Sequence, residues 1–147
     1  MGSLKQRLED DLRVAMKARD ELVTSTLRMA LAAVRTAEVA GTAARELSDD
    51  EVLGVLTKEA KKRREAATAF ADAGRVELAT KERAEEEVLA GYLPAQLSDE
   101  ALAEIVRDAI AASGATAMGP AMKAVQAAVA GRAEGGRVAA EVRRQLG

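Results

Sequence analysis

The sequence predicts an all-α protein, and three features carry that expectation. Thirty-four of the 147 residues are Ala, the best helix former, and only two are Pro. Apolar residues recur at spacings of three and four, while strand formers never alternate over a useful stretch. Capping residues and glycines punctuate this pattern into seven segments.

Leu4, Leu8 and Leu12 recur every four residues behind Ser3, which has capping-box spacing with Gln6, so a first helix runs to about Ala18. The charged run 17–21 admits a turn. Val23, Leu27, Ala30, Leu31 and Val34 mark one face of a second helix that ends before Gly41, and 41–45 reads as a loop. Ser48-Asp49-Asp50-Glu51 is the strongest start signal: an N-cap hydroxyl, acids in the first turn and Glu three residues on. The helix it opens has an apolar stripe at Val52, Leu56, Ala60, Ala67 and Phe70, interrupted by Arg63 and stopped at Gly74. A fourth helix holds Leu78, Val88 and Leu89 and is acidic at Glu82, Glu85, Glu86 and Glu87. It fades at Tyr92-Leu93-Pro94, because Pro disfavours helix at the residue before it.

Pro94 also marks the expected boundary between an N-terminal α-helical domain of about four helices, 1–94, and a three-helix tail domain, 95–147. In the tail, Ser98-Asp99-Glu100 starts a fifth helix with Leu102, Ile105, Val106, Ala109 and Ile110 inward, closed at Gly114. Met118, Met122, Val125 and Val129 define a sixth, closed at Gly131, and Val138, Val142 and Leu146 a short seventh. A chain of that length is marginal on its own, so the tail is expected to lean on the first domain or on a partner.

Composition narrows the chemistry. With 22 Lys+Arg against 24 Asp+Glu, the net charge of −2 gives no whole-chain attraction to nucleic acid or anionic membranes. Without Cys or His there is no disulfide, thiol nucleophile, soft metal site or neutral-pH proton shuttle of the usual kind. Ser3, Ser25, Ser48, Ser98 and Ser113 lack a His base, and no G-x-S-x-G elbow occurs. The acids of the fourth helix lack the Glu-x-x-His pair of helical di-metal sites, so a solvated acidic face that could pair with Lys61, Lys62 or Arg64 is expected there. No catalytic residue, metal or cofactor is therefore expected. One Phe, one Tyr and no Trp leave no aromatic platform for bases. No 18-residue apolar run exists and the start turns charged at once, so a soluble cytoplasmic protein with no membrane partner is expected.

Two basic clusters remain. The run 58–65 carries five positive and two negative charges, and Lys58, Lys61, Lys62 and Arg64 form a candidate phosphate patch. The i,i+4 spacing of Lys61 and Glu65 and the mid-helix position favour a solvated or intersubunit face. The tail is more asymmetric. From Ala115 onward, Lys123, Arg132, Arg137, Arg143 and Arg144 oppose only Glu134 and Glu141, a net +3. Gly119 opens the sixth helix, and Gly131, Gly135 and Gly136 lead into the seventh. A Gly at a helix start admits another backbone, and free N–H groups there favour an anion. The same glycines also fit ordinary helix stops.

Arg45-Glu46-Leu47-Ser48-Asp49-Asp50-Glu51-Val52-Leu53, the stretch from Lys58 to Ala66, Phe70-Ala71-Asp72-Ala73-Gly74-Arg75, the Tyr92-Leu93-Pro94 junction with Gln96-Leu97-Ser98, and Gly131-Arg132-Ala133-Glu134-Gly135 resemble the YqeY-like proteins of the GatB/YqeY family. The resemblance spans nearly the whole chain in the family's order and spacing. It implies a helical N-terminal domain followed by a small helical tail. It also implies kinship with the C-terminal part of the B subunit of the glutamine-dependent amidotransferase that corrects misacylated Glu-tRNA(Gln) and Asp-tRNA(Asn). In that enzyme the tail helps hold tRNA, and a preceding catalytic domain, without counterpart here, carries the chemistry. The carbon–nitrogen ligase activity associated with the family, with glutamine as amido donor, is thus not expected of the isolated chain. Where the family commonly shows Met-Gly-Lys before the sixth helix, this chain has Met118-Gly119-Pro120, with Lys123 three residues on. Pro suits a first helical turn, but the charge is lost.

The leading expectation is a non-catalytic accessory protein whose tail docks on tRNA or another structured RNA, alone or beside amidotransferase subunits or an aminoacyl-tRNA synthetase. Lys123, Arg132, Arg137, Arg143 and Arg144 make the phosphate contacts in this view, and Gly131, Gly135 and Gly136 admit the backbone. Recognition would follow shape and phosphate more than base identity. One alternative is a protein-interaction module, its basic third and acidic fourth helices meeting a partner or a second copy. Another is a component that aids a carbon–nitrogen ligase only in complex. No oligomeric state follows from the sequence.

Overall fold

Seven helices make up the regular structure in the computed structural model, which describes residues 3–147: α1 (Leu4–Ala18), α2 (Glu21–Glu38), α3 (Asp49–Asp72), α4 (Val76–Ala90), α5 (Asp99–Ser113), α6 (Met118–Val129) and α7 (Gly135–Leu146). No strand occurs among the described residues. Four helix starts are fixed by side chains. Ser3, Asp20, Ser48 and Ser98 accept from the N–H of Gln6, Val23, Glu51 and Ala101, each satisfying one donor that the helix itself leaves unpaired. At Ser48 the capping box is complete: the Ser48 N–H donates to Glu51 Oε1 at 3.1 Å while the Glu51 N–H donates to Ser48 Oγ at 3.2 Å. At Ser3 only half of it forms, because the Gln6 amide donates forward to Asp10 at 3.0 Å.

The end of α3 is a Schellman turn. Gly74 takes φ +77°, its N–H donates to the Ala71 carbonyl at 3.0 Å, and the Arg75 N–H donates to Phe70 at 2.8 Å. α1 ends differently, with Arg19 rather than a glycine in the left-handed region at φ 56°.

The helices gather into two units, Met1–Leu93 and Pro94–Gly147. The core of the first joins Leu8 of α1, Leu27, Ala30, Leu31 and Val34 of α2, Val52, Leu56 and Ala60 of α3, and Leu89 of α4. Each Leu or Val fully removed from water there contributes about 1.5–3 kcal/mol. α3 contributes to this core only as far as Ala60. Beyond it, Phe70 is half-buried outside the core and Leu78 is 39% exposed, so neither takes the inward place expected of it. The far half of α3 and the first turns of α4 extend past the core.

The second unit has a core of its own, formed by Leu102 and Val106 of α5, Ala121, Val125 and Val129 of α6, and Ala133, Val138 and Val142 around α7. Its side chains are mostly Val and Ala, and polar bonds fasten its edges. The Leu97 N–H donates to the Arg132 carbonyl at 2.8 Å, and Gln145 Nε2 donates to the Ala103 carbonyl at 2.8 Å.

Candidate nucleic-acid interface

The five tail cations differ in what they hold. Arg132 folds back on the end of α6: its Nε and Nη2 donate to the Val129 and Ala128 carbonyls, both at 3.0 Å, supplying donors that the last turn lacks. Arg137 Nη2 donates to the Leu97 carbonyl and to Asp99 Oδ1, both at 2.9 Å, tying the approach to α5 onto α7. Arg144 grips Glu141 through Nε at 2.8 and 2.9 Å and through Nη2 at 2.6 Å. That bond from Arg144 holds the Glu141 carboxyl below the ordinary carboxylate range. Lys123 and Arg143 are exposed and have no ion pair or hydrogen bond among the described residues.

The structure therefore brings Arg132 and Arg137 together around Leu97, at the end where α5 and α7 begin. Arg137 and Arg144 line an open cleft of about 360 Å³ with Asp99, Leu102, Ala140 and Glu141. Lys123 does not line that cleft.

Gly131 takes φ +78°, which explains a glycine there. Gly135 and Gly136 are different. They sit in the first turn of α7 with ordinary φ, and a Cβ at either would meet nothing within 4 Å. The Glu134 carbonyl accepts from the Val138 N–H at 3.0 Å, but the Glu134 side chain makes no capping hydrogen bond to the first turn of α7. Pro120 lies in the first turn of α6, where its missing N–H removes no helical bond.

The patch at Lys58, Lys61, Lys62 and Arg64 is engaged within the chain. Lys62 pairs with Glu59 at 3.1 Å, Lys61 with Glu65 at 3.9 Å, and Arg64 with Glu86 of α4 at 3.6 Å. Only Lys58 has no ion pair among the described residues. Arg63, an interruption of the apolar stripe in the sequence, lies between the helices, 3.5 Å from Glu82 and 4.0 Å from Glu85. Glu59 and Glu85 are each only 7% exposed. Arg63 and Arg64 of α3 thus meet the acids of α4, while Lys58, Lys61, Lys62 and Arg64 keep exposed side chains, as a solvated face would. The fit is loose at its centre, since Arg63 Nε and Glu82 Oε2 are buried without a hydrogen-bond partner.

The hydroxyls are occupied structurally. Ser3, Ser48 and Ser98 cap helices, while Ser25 and Ser113 donate to the Leu22 and Ile110 carbonyls at 3.2 and 3.1 Å. Among the described residues no three Asp or Glu gather as metal ligands would, and no helix is long and apolar enough to cross a membrane. One polar cluster was not anticipated. Tyr92 Oη donates to Asp11 and the Arg7 guanidinium lies 4.5 Å from the ring centroid; burial, then Asp11, pushes the phenol up. Its partners come from α1, so no local signal marks it.

No match is found among curated proteins. The family model described as Yqey-like protein matches residues 5–146, nearly all of this seven-helix chain, and the protein belongs to the YqeY-like family.

Proposed function

We propose that the chain is a non-catalytic, cytoplasmic accessory protein whose α6–α7 face docks on the phosphate backbone of a structured RNA, tRNA first, alone or beside an amidotransferase. What carries this reading is the sorting of charge within the second unit. α5 bears Asp99, Glu100, Glu104 and Asp108 against Arg107, which pairs with Glu104 and Asp108. The cations Lys123, Arg132, Arg137, Arg143 and Arg144 all follow α5, and residues 109–133 contain no acid. Open glycines beside uncapped amides at the start of α7 favour close approach of a phosphate in the same region. The kinship with an amidotransferase tail that the resemblance implies points the same way. The rival interaction-module reading has fewer charges to offer, because Arg63 and Arg64 of α3 pair with Glu82, Glu85 and Glu86 of α4.

The test uses the two cations that hold nothing else. A fluorescence-anisotropy titration of tRNA with the full chain is expected to show affinity falling as salt rises. In the variant Lys123→Ala/Arg143→Ala, the slope of log K against log salt is expected to be shallower by about two, near one per lost phosphate contact. Affinity independent of salt, or no binding at low salt, overturns the reading.

A further inference from the structure

The cations of the first unit that hold no acid are not spread evenly. Lys5 pairs with Glu38 at 2.9 Å, Arg7 with Asp11 at 3.9 Å, and Arg13 and Arg45 with Asp10 and Glu51. Lys17 and Arg19 at the end of α1, with Arg28 and Arg35 on α2, are exposed and have no ion pair among the described residues. Lys58, Arg75, Lys81 and Arg83 are also without one, but each has a Glu within four positions that offsets its field. On α2, Arg28 has no acid within four positions, and the Glu38 three residues beyond Arg35 is held by Lys5 at 2.9 Å. From Leu22 to Ala37 there is no acid, and Arg28 and Arg35 are the only charges.

These cations share a surface. Arg28 Nη2 lies 3.8 Å from the Met16 sulfur, which sets it beside Lys17 and Arg19 at the α1–α2 elbow. Arg35 follows seven residues later on the same face, about 10 Å along the axis. Ser25, Ala32 and Thr36 are exposed around the two arginines, small enough to let a backbone lie close. Asp20 and Glu21 line the elbow pocket of about 330 Å³ with Met16, Arg19, Thr24 and Arg28. Asp20 is held there as the cap of α2, accepting from the Val23 N–H at 3.1 Å. Arg19 keeps a left-handed conformation that a glycine would take without strain, although its head binds no acid. Its place at a helix C-terminus offsets part of that cost.

We propose that this face is a second RNA-backbone contact, in which Arg19, Arg28 and Arg35 neutralise phosphates of the RNA that the tail engages. It rests on the reading above that RNA is the ligand. An anionic membrane fits less well, because α2 buries Leu27, Leu31 and Val34 in the core and has no second apolar face to insert.

The test compares the full chain with Arg19→Gln/Arg28→Gln/Arg35→Gln and with Lys123→Ala/Arg143→Ala, all titrated with tRNA over a salt series after circular dichroism shows native helicity. The triple variant is expected to lose about 0.9 of salt slope per phosphate, so nearly three, and at least about tenfold in affinity at low salt. A control, Lys81→Gln/Arg83→Gln, is expected to match the parent. If the parent binds and the tail variant weakens while the triple variant stays at the parent's slope, the second contact is overturned and the tail reading stands. If the triple variant loses binding while the tail variant does not, the second contact stands and the tail reading falls. If the parent binds no tRNA at low salt, both fall. Phosphatidylcholine vesicles with and without phosphatidylglycerol are the remaining arm, and binding of the anionic vesicles but not of tRNA overturns the proposal in favour of a membrane surface.

Discussion

Arg137 and Arg143 look alike in the sequence, two cations on one amphipathic helix, and the structure gives them opposite duties. Arg137 holds the Leu97 carbonyl and Asp99, so Arg137→Ala removes two hydrogen bonds and is expected to destabilise the second unit by about 1–2 kcal/mol. Arg143, exposed and holding nothing, is expected to change stability by less than about 0.5 kcal/mol when replaced by Ala. Urea unfolding of the two variants checks the contrast, and equal losses would refute it. The same contrast decides how binding is tested. Replacing Arg132, Arg137, Arg143 and Arg144 together would confuse a lost phosphate contact with a lost α6 cap and a loosened α5 approach. Residue type and spacing identify a cation, but what its head holds depends on chain brought near by folding, here a segment forty residues away.

At the level of helices, starts were the most legible part because a cap is local. Ser48, three acids and the Glu51 return are all within one turn, and the box forms as the spacing predicts. It also titrates. The Arg45 side chain, then the Ser48 N–H, holds the Glu51 carboxyl down at about 2, well below its unfolded value. A depressed carboxyl contributes stability above the unfolded value near 4.3, and that contribution is lost as pH falls toward 2. Acid unfolding of Glu51→Gln is therefore expected to show a flatter stability profile over that window than the parent, with the two curves converging at its acid end. A parallel offset across the window would mean that Glu51 acts through packing alone. The helix pair that follows was legible only in part: acids able to meet Arg64 were expected on α4, and Arg64 meets Glu86. A charge in an apolar stripe reads the same whether it faces water or an acid on the next helix, so Arg63 looked like a flaw when it joins α3 to Glu82 and Glu85. Phe70 and Leu78 failed similarly, since periodicity marks a face but not whether a neighbour reaches that far along it.

For the whole molecule, the class and the order of the helices were readable because Ala content, spacing and caps agree along the chain. The distribution of charge was not. A net charge of −2 hides two acid-free stretches, 22–37 within α2 and 109–133, and only pairing in three dimensions separates engaged cations from unengaged ones. The same inventory bears on catalysis. Amide transfer from glutamine requires a nucleophile to take the acyl group and a base to move protons. This chain has no Cys and no His to serve as base, its five Ser hydroxyls are engaged as helix caps or on carbonyls of the preceding turn, and Thr26, Thr57, Thr68 and Thr80 likewise donate to carbonyls one turn back. The purified chain, given ATP, magnesium, glutamine and misacylated tRNA, is therefore expected to release no glutamate and form no amidated aminoacyl-tRNA above the protein-free rate. Adding amidotransferase subunits is the informative second arm. Turnover that rises with this chain only in their presence would make it an accessory that presents RNA, and turnover by the chain alone would show that its chemistry lies in groups assigned here to structure.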